Sequence, residues 1–177
     1  EQMKRILEKA GEISSRLEDS TVDDRENYTP GWKFNEWELK GVPLRIEIGP
    51  KEIEENYVTL VRRDNQKRIT VAQSKVEEKV KEILQKIQRN LLENARDFLE
   101  KNTRETESYE EFKEILEKKG GFIKAPWCGK TSCEEKIKNE TTAKITNIPF
   151  KYNEPQEKNC IKCGEKAKYW VNFAKSY

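Results

Sequence analysis

Residues 29–52 read TPGWKFNEWELKGVPLRIEIGPKE, and this stretch decides the fold because its pattern changes from helical to extended. It opens on Thr-Pro-Gly, and since proline is tolerated in the first helical turn, we predict that a short helix begins there. Gly41 can end this helix in a left-handed conformation. Apolar and other residues then alternate from 42 to 48, which predicts a half-buried strand with Arg45 and Glu47 on its open face.

The predicted short helix carries three aromatic residues, Trp32, Phe34 and Trp37, interleaved with charged residues. Aromatic side chains on a short helix usually anchor it, so we expect at least two of the three to lie in the core. Stacking against a ligand is the alternative interpretation. Just upstream, Asp23 lies in an acidic connection that could suggest a metal or acid–base site, but a solvated loop is the favoured interpretation.

The sequence on either side of this stretch predicts helices around one β-hairpin. Residues 1–19 carry apolar side chains at helical spacing and predict an amphipathic helix. Residues 56–63 and 67–72 alternate around a polar turn and predict the hairpin. An apolar stripe from 73 to about 101 predicts one long helix, which is typical of core packing. Because the chain starts inside a predicted helix without methionine, we expect a fragment whose preceding strand is missing.

A further helix and a domain boundary are predicted in the second half of the chain. Ser108 followed by Glu111 forms a capping-box pattern, and a glycine pair at 120–121 ends the helix. We place the boundary at this pair, which gives a first domain of residues 1–120 and a second of residues 121–177.

Composition limits the kinds of function that are compatible with the chain. Its 177 residues allow one full domain and a small one, and a hydrophobic content of 34% against 38% charged residues predicts modest cores. With 35 Lys and Arg against 33 Asp and Glu, contact with nucleic acid must come from a local patch rather than from bulk charge. No apolar run approaches the roughly 20 residues that span a bilayer, so we predict a soluble, cytoplasmic protein without membrane association.

Histidine is absent from the sequence. This removes the usual general base at neutral pH and the usual ligand of an open catalytic zinc site. This argues against most hydrolase and metalloenzyme functions, and we predict no catalytic residues in this chain.

Four cysteines form two close pairs, Cys128-x4-Cys133 and Cys160-x2-Cys163. Two such pairs can place four thiolates around one tetrahedral Zn²⁺, which leaves no open position for water and predicts a structural site. A metal of this kind would stabilise a terminal domain too small to rely on apolar burial. Two disulfides or free buried thiols are the alternatives.

The motifs TPGWKFNEWELKGVPLRIEIGP, WCGKTSC, CIKCG and the terminal FAKSY resemble, in this order, the C-terminal half of the prolyl-tRNA synthetases. The resemblance covers essentially the whole chain and is specifically to the archaeal and eukaryote-like type, which carries an extra zinc-binding domain. It implies an α/β fold, namely a class II synthetase anticodon-binding domain with a mixed sheet flanked by helices, followed by a small α+β zinc-binding domain.

The resemblance also implies which residues contact the tRNA for proline, whose anticodon ends in two guanines. The matching positions are Glu38, Arg45, Lys51 and Glu52. Cations can donate to guanine O6 and N7, and carboxylates can accept from N1–H and N2–H₂, so two cation–carboxylate pairs suit two guanines. A solvated side chain, or a local pair such as Arg45 with Glu47, is the alternative for each.

In the same family four cysteines bind zinc, and the matching positions here are Cys128, Cys133, Cys160 and Cys163. Tyr177 is similar to the family's terminal tyrosine, and we predict that it docks against the catalytic domain, although a frayed tail is the alternative. The family implies a missing catalytic domain that uses ATP and Mg²⁺, commonly in a homodimer, so the fragment alone should be inactive and is expected to be a monomer.

Two other classes of function remain open at this point. One is a free-standing RNA-binding protein built on the same fold. The other is a zinc-stapled interaction module without an RNA role, for which RNA binding should show no guanine dependence and little salt dependence.

Overall fold

The computed structural model describes residues 1–150 and 157–175. Contacts divide the chain into two compact units, Glu1–Asn94 and Ala95–Tyr177. In the described residues, none of the helices combines the length and the apolar character needed to cross a membrane. Sheets flanked by helices recur in both units, so the predicted α/β class is confirmed.

The first unit is built from helices around one small sheet. Its elements in chain order are α1 (Gln2–Ser14), α2 (Pro30–Leu39), β1 (Leu44–Glu47), α3 (Pro50–Glu54), β2 (Tyr57–Arg62), β3 (Arg68–Ala72), a 3-10 turn (Gln73–Lys75) and α4 (Val76–Lys101), whose C-terminal end belongs to the second unit.

The first sheet has the strand order β1-β2-β3, and both of its pairings are antiparallel. In the register Ile46 lies opposite Leu60, which lies opposite Ile69, so these three side chains share one face. That face packs against α1 and α4 in a core whose buried members are Ile13, Val58, Leu60, Val71, Val76, Ile83 and Ile87. The opposite face of the sheet, called the open face below, carries the charged residues of β1.

Several of the predicted elements are confirmed, and two differ from the prediction. The short helix begins with Thr29 as its cap, and the hairpin and the long helix form where their patterns predict them. The first helix ends at Ser14 rather than near residue 19, because the Ser20 hydroxyl donates to the Ser14 carbonyl at 3.0 Å and closes the chain into a turn. Helix α3, which is separated from the end of β1 by two residues, was not predicted.

The second unit combines a four-stranded sheet with two helices. Its elements are β4 (Thr103–Glu105), α5 (Tyr109–Lys118), β5 (Phe122–Trp127), α6 (Thr131–Thr141), β6 (Ala143–Asn147) and β7 (Tyr169–Lys175). The strand order is β4-β5-β7-β6, with a parallel β4–β5 pair and antiparallel pairs elsewhere. The core contains Phe112, Ile115, Leu116, Ile123, Ala125, Ile137, Ala143, Ile161, Val171 and Phe173.

The boundary between the units lies between Asn94 and Ala95, whereas the sequence analysis placed it at the glycine pair. Ser108 caps helix α5 as predicted, but the Glu111 carboxylate accepts from the Thr106 hydroxyl, which in turn accepts from the Ser108 N–H, so the reciprocal half of the predicted capping box is replaced. The helix packs into the second core. Gly121 has a φ of +83°, and a Cβ there would lie 2.4 Å from the carbonyl oxygen of Asn102. The glycine pair is therefore a tight turn inside the second unit, and an apolar stripe on a short helix does not reveal which sheet it covers.

Leu60→Ala should lower the free energy of unfolding by about 2–5 kcal/mol, because Leu60 is fully buried and its truncation leaves a cavity. Urea unfolding followed by circular dichroism measures this change. Leu39→Ala is the matched control: Leu39 is 81% exposed, and its truncation should change stability by less than about 0.5 kcal/mol. Equal stabilities of the two variants would contradict the assignment of the first core.

Candidate functional site

The open face of the first sheet gathers most of the residues that the sequence analysis assigned to a binding site. Arg45 lies opposite Val61 on β2, which lies opposite Arg68 on β3, so the two arginines share this face. Glu38 reaches it from the end of α2, and Glu52 reaches it from α3.

Arg45 is the best-anchored residue of this face. Its Nη1 donates to Oε1 of Glu38 at 2.6 Å, and its Nε donates to Oε1 of Glu47 at 2.9 Å. The guanidinium carbon lies 4.1 Å from the ring centroid of Phe34, and only 18% of the side chain is exposed. Two carboxylates and an aromatic ring thus fix the orientation of the guanidinium.

The anticipated local pair of Arg45 with Glu47 is present, and two further residues extend it. Glu47 also forms an ion pair with Arg68, and the Gln66 amide donates to Oε2 of Glu38 at 3.5 Å. Neither Arg68 nor Gln66 was among the predicted site residues. The alternation of side chains along β3 could have placed Arg68 on the open face. Gln66 reaches Glu38 from a turn in which its φ is +57°, and the alternation does not reveal that turn.

Glu52 and Lys51 behave differently although they are neighbours on α3. Oε2 of Glu52 accepts from the backbone N–H of Gly49 at 3.1 Å, and its Oε1 lies 3.5 Å from the Thr59 hydroxyl. Lys51 is 71% exposed, and its Nζ lies 4.0 Å from Glu55. The structure therefore places Glu52 at the open face with a local capping role and leaves Lys51 in solvent.

No residue of α2 is buried, so the expectation that at least two of its aromatic residues lie in the core is wrong. Phe34 and Trp37 are half-buried, and they contact charged groups instead. Phe34 lies against Arg45, and Trp37 Nε1 donates to Oδ2 of Asp23 at 2.8 Å. Trp32 is 46% exposed.

Asp23 is the centre of a polar network rather than a solvated loop residue. Arg25 donates to both of its carboxylate oxygens, from Nε at 2.9 Å and from Nη2 at 2.7 Å. These hydrogen bonds, with the one from Trp37, hold the pKa of Asp23 well below its ordinary value. Arg25 also pairs with Glu36, and both hydrogen bonds raise the pKa of the Arg25 guanidinium.

The four cysteines come together in the second unit. Their sulfur atoms all lie within 4.8 Å of one another, and the sulfurs of Cys128 and Cys163 are 3.7 Å apart. Sulfurs around a tetrahedral zinc at about 2.3 Å are separated by about 3.8 Å, whereas a disulfide requires about 2.05 Å. The four thiols are free, so this geometry fits one metal ion and not the alternative of two disulfides.

Backbone structure positions the two cysteine pairs. Cys128 follows the end of β5, and Cys133 lies in the first turn of α6. The second pair is joined to the end of β5 because the N–H of Ile161 donates to the Pro126 carbonyl at 2.9 Å. Lys130 and Glu165 form an ion pair between the two cysteine segments.

The surroundings of the thiols affect their protonation in different ways. Burial raises the pKa of Cys133 to about 12 and also raises the pKa of Cys128. Burial acts in the same direction on Cys160, but hydrogen bonds from the backbone N–H groups of Cys163 and Lys162 outweigh it and lower the pKa of that thiol. These N–H groups favour a thiolate, which is the form that binds metal.

Comparisons with known proteins agree with this architecture. Residues 2–83 match the family model described as "Anticodon binding domain", and residues 109–177 match the one described as "Prolyl-tRNA synthetase, C-terminal". Together the two matches cover most of the chain.

Similar curated proteins are named proline–tRNA ligase. The relative from Alkaliphilus oremlandii (strain OhILAs) is 46% identical over 97% of this chain and 36% of its own length. The relative from Natranaerobius thermophilus is 46% identical over 92% of this chain and 34% of its own length, and the one from Clostridium novyi (strain NT) is 44% identical over 97% and 36%.

The chain thus spans about a third of the length of the curated relatives it matches. Their names do not distinguish types of the enzyme, so the resemblance to the archaeal and eukaryote-like type stays a prediction. The predicted family itself is confirmed: the chain belongs to the prolyl-tRNA synthetases, in which it corresponds to an anticodon-binding domain joined to the C-terminal domain.

Proposed function

We propose that this chain recognises the anticodon of the tRNA for proline as part of a proline–tRNA ligase. The observation that carries the proposal is the Glu38–Arg45 pair, fixed on the open face of a domain that matches anticodon-binding domains. The net charge of +2 is too small for strong nonspecific attraction to RNA, so a local arrangement of this kind has to supply the affinity.

Arg45 and Glu38 have the groups that one guanine requires. Among the described residues, Nη2 of Arg45 has no hydrogen-bond partner, so one of its N–H groups can donate to guanine O6 or N7. The Glu38 carboxylate can accept from N1–H and N2–H₂ of an unstacked guanine. The bonds that Arg45 makes to Glu38 and Glu47 hold the reading group in place before RNA arrives.

We assign the second guanine to Lys51 and Glu52. Lys51 is exposed and reaches into solvent, where its ammonium group can donate to O6 and N7. Glu52 is held by Gly49 and Thr59 at the same face as Arg45. Its capping bond to Gly49 competes with a base contact. Of the four assigned residues, Glu52 is therefore the one whose side-chain position is best explained by the fold alone.

We also propose that Cys128, Cys133, Cys160 and Cys163 hold a structural Zn²⁺. The donor set consists of four sulfurs, and the sulfur separations suit tetrahedral coordination. Bound zinc would supply cross-linking of the two cysteine segments and no open coordination position for chemistry. Its role is therefore to stabilise the second unit.

The whole enzyme would attach proline to its tRNA with ATP and Mg²⁺ in a separate catalytic domain, act in the cytoplasm and form a homodimer. This chain alone would bind without catalysing. Tyr177, proposed to dock against the catalytic domain, lies outside the described residues.

A fluorescence-anisotropy titration with a proline anticodon stem-loop tests the central proposal. The comparison is a stem-loop in which cytosines replace the two guanines. The chain should prefer the guanine form, because cytosine offers neither the O6 and N7 acceptors nor the same donors. Binding without such a preference would favour a general RNA-binding protein, and no binding at all would favour an interaction module.

Arg45→Ala should weaken binding to the stem-loop by about 1–3 kcal/mol and relax discrimination at one guanine. The measurement is the same titration with each guanine replaced in turn. Arg89→Ala is the charge-matched control, because Arg89 is exposed on α4, which packs against the opposite face of the sheet. An Arg45→Ala variant that retained the parent's preference at both guanines would exclude the assigned role.

Cys160→Ser should lower the zinc content and destabilise the second unit, because three thiolates cannot complete the tetrahedral set. Elemental analysis of the purified chain should give one zinc per parent chain and a clear loss in the variant. Ser132→Ala is the matched control, since it alters an exposed residue beside Cys133 and keeps all four sulfurs. Equal zinc in Cys160→Ser and parent would contradict the four-cysteine site.

A further inference from the structure

Two exposed aromatic side chains are already stacked on the surface of the first unit. The ring centroids of Tyr28 and Trp32 are 3.9 Å apart, and the ring planes differ by 13°. Tyr28 is 42% exposed and Trp32 is 46% exposed, although both carry large apolar rings. The pair is therefore an ordered apolar surface that the described part of the chain leaves accessible.

An arginine held by two carboxylates fixes this pair. The guanidinium carbon of Arg25 lies 5.0 Å from the ring centroid of Tyr28 and 5.4 Å from that of Trp32, so it borders both rings. Asp23 and Glu36 hold the guanidinium through hydrogen bonds. Since both carboxylates are ionised at neutral pH and their pKa values are lowered by these contacts, the arrangement persists under ordinary conditions.

The network also connects the aromatic pair to the helix that carries the proposed reading residue. Trp32, Glu36 and Glu38 all lie on α2, and Trp32 precedes Glu38 by about 9 Å of helix rise. The Trp37 indole donates to Asp23, so the segment that holds Tyr28 is tied to the same helix. Six residues also turn the helix by about 600°, so Trp32 and Glu38 lie about 120° apart around α2, and the rings would meet a part of the RNA other than the base at Glu38.

We propose that the Tyr28–Trp32 pair is a stacking platform for an unpaired base of the RNA, in addition to the guanines read at Glu38 and Arg45. The inference rests on the proposed function. Aromatic rings accept any base by stacking, because every base has a π face. The two rings face each other, so only an outer ring face is available, and that area suits one base, whereas a stable protein partner covers about 800 Å² on each side.

The platform contributes in a way that differs from both base reading and phosphate contact. Stacking does not depend on the hydrogen-bonding edge of the base, so removing the Trp32 ring should weaken binding to all stem-loops by the same factor. The charge of Arg25 is neutralised by Asp23 and Glu36, so the platform adds no phosphate contact and should not alter the salt dependence of binding.

Trp32→Ala should reduce the affinity of the chain for the anticodon stem-loop by roughly tenfold, which corresponds to one stacked base. The affinity ratio between the guanine and cytosine stem-loops should stay at the parent's value, as should the slope of log affinity against log salt concentration. Leu39→Ala is the control, because it removes another exposed apolar side chain from the same helix and should bind as the parent does.

Trp32→Phe gives a second readout that does not depend on the alanine variant folding. A phenylalanine ring keeps the stacking surface, so this variant should retain most of the affinity. A base stacked on Trp32 should quench its fluorescence, so binding should quench the parent markedly and Trp32→Phe much less. The other three tryptophans are common to both proteins and provide the reference.

The outcomes separate this inference from the function on which it rests. If the parent discriminates guanine from cytosine but Trp32→Ala binds like Leu39→Ala, or if quenching is unchanged in Trp32→Phe, the platform is excluded and the anticodon function stands. If the parent shows no guanine preference, the proposed function fails whatever the variants do. If the parent does not bind the stem-loop at all, both proposals fail.

Discussion

The alternation of side chains along β1 is the constraint on which the first unit depends. Leu44 and Ile46 pack against the core formed with α1 and α4, and a shift of one residue would expose them. Because their burial fixes the register, Arg45 and Glu47 have to lie on the open face. The apolar core thus determines where the charged residues of the proposed site stand.

The charged residues of the open face then hold one another. Arg45 contacts two carboxylates and a ring, while Glu47 contacts two arginines. Each contact is modest at a partly exposed surface, but a guanidinium fixed from several sides loses little conformational freedom when it binds a base. The local pair that stood as the alternative to RNA recognition is therefore compatible with it, since it orients the group that is proposed to read the base.

Sequence reasoning predicted the helix–strand switch, the hairpin, the four-cysteine cluster and the family, because each depends on local period, turn residues or fixed spacing. It failed where a contact between distant segments decides the structure. The acidic connection at Asp23 has the composition of a solvated loop. In the structure, however, Arg25 of this connection pairs with Glu36, which lies 11 residues further along the chain. Likewise, the apolar stripe of α5 indicates a buried face but not the sheet that covers it.

The charge balance sets a further condition on any RNA contact. Lysines and arginines nearly equal aspartates and glutamates in number, and ion pairs occupy many of them in the described residues. Long-range attraction to phosphates is therefore weak, and affinity must come from short-range contacts made by groups already in position. Both the Arg45–Glu38 pair and the stacked rings satisfy that condition, because ionic contacts made within the folded chain order each of them before any ligand binds.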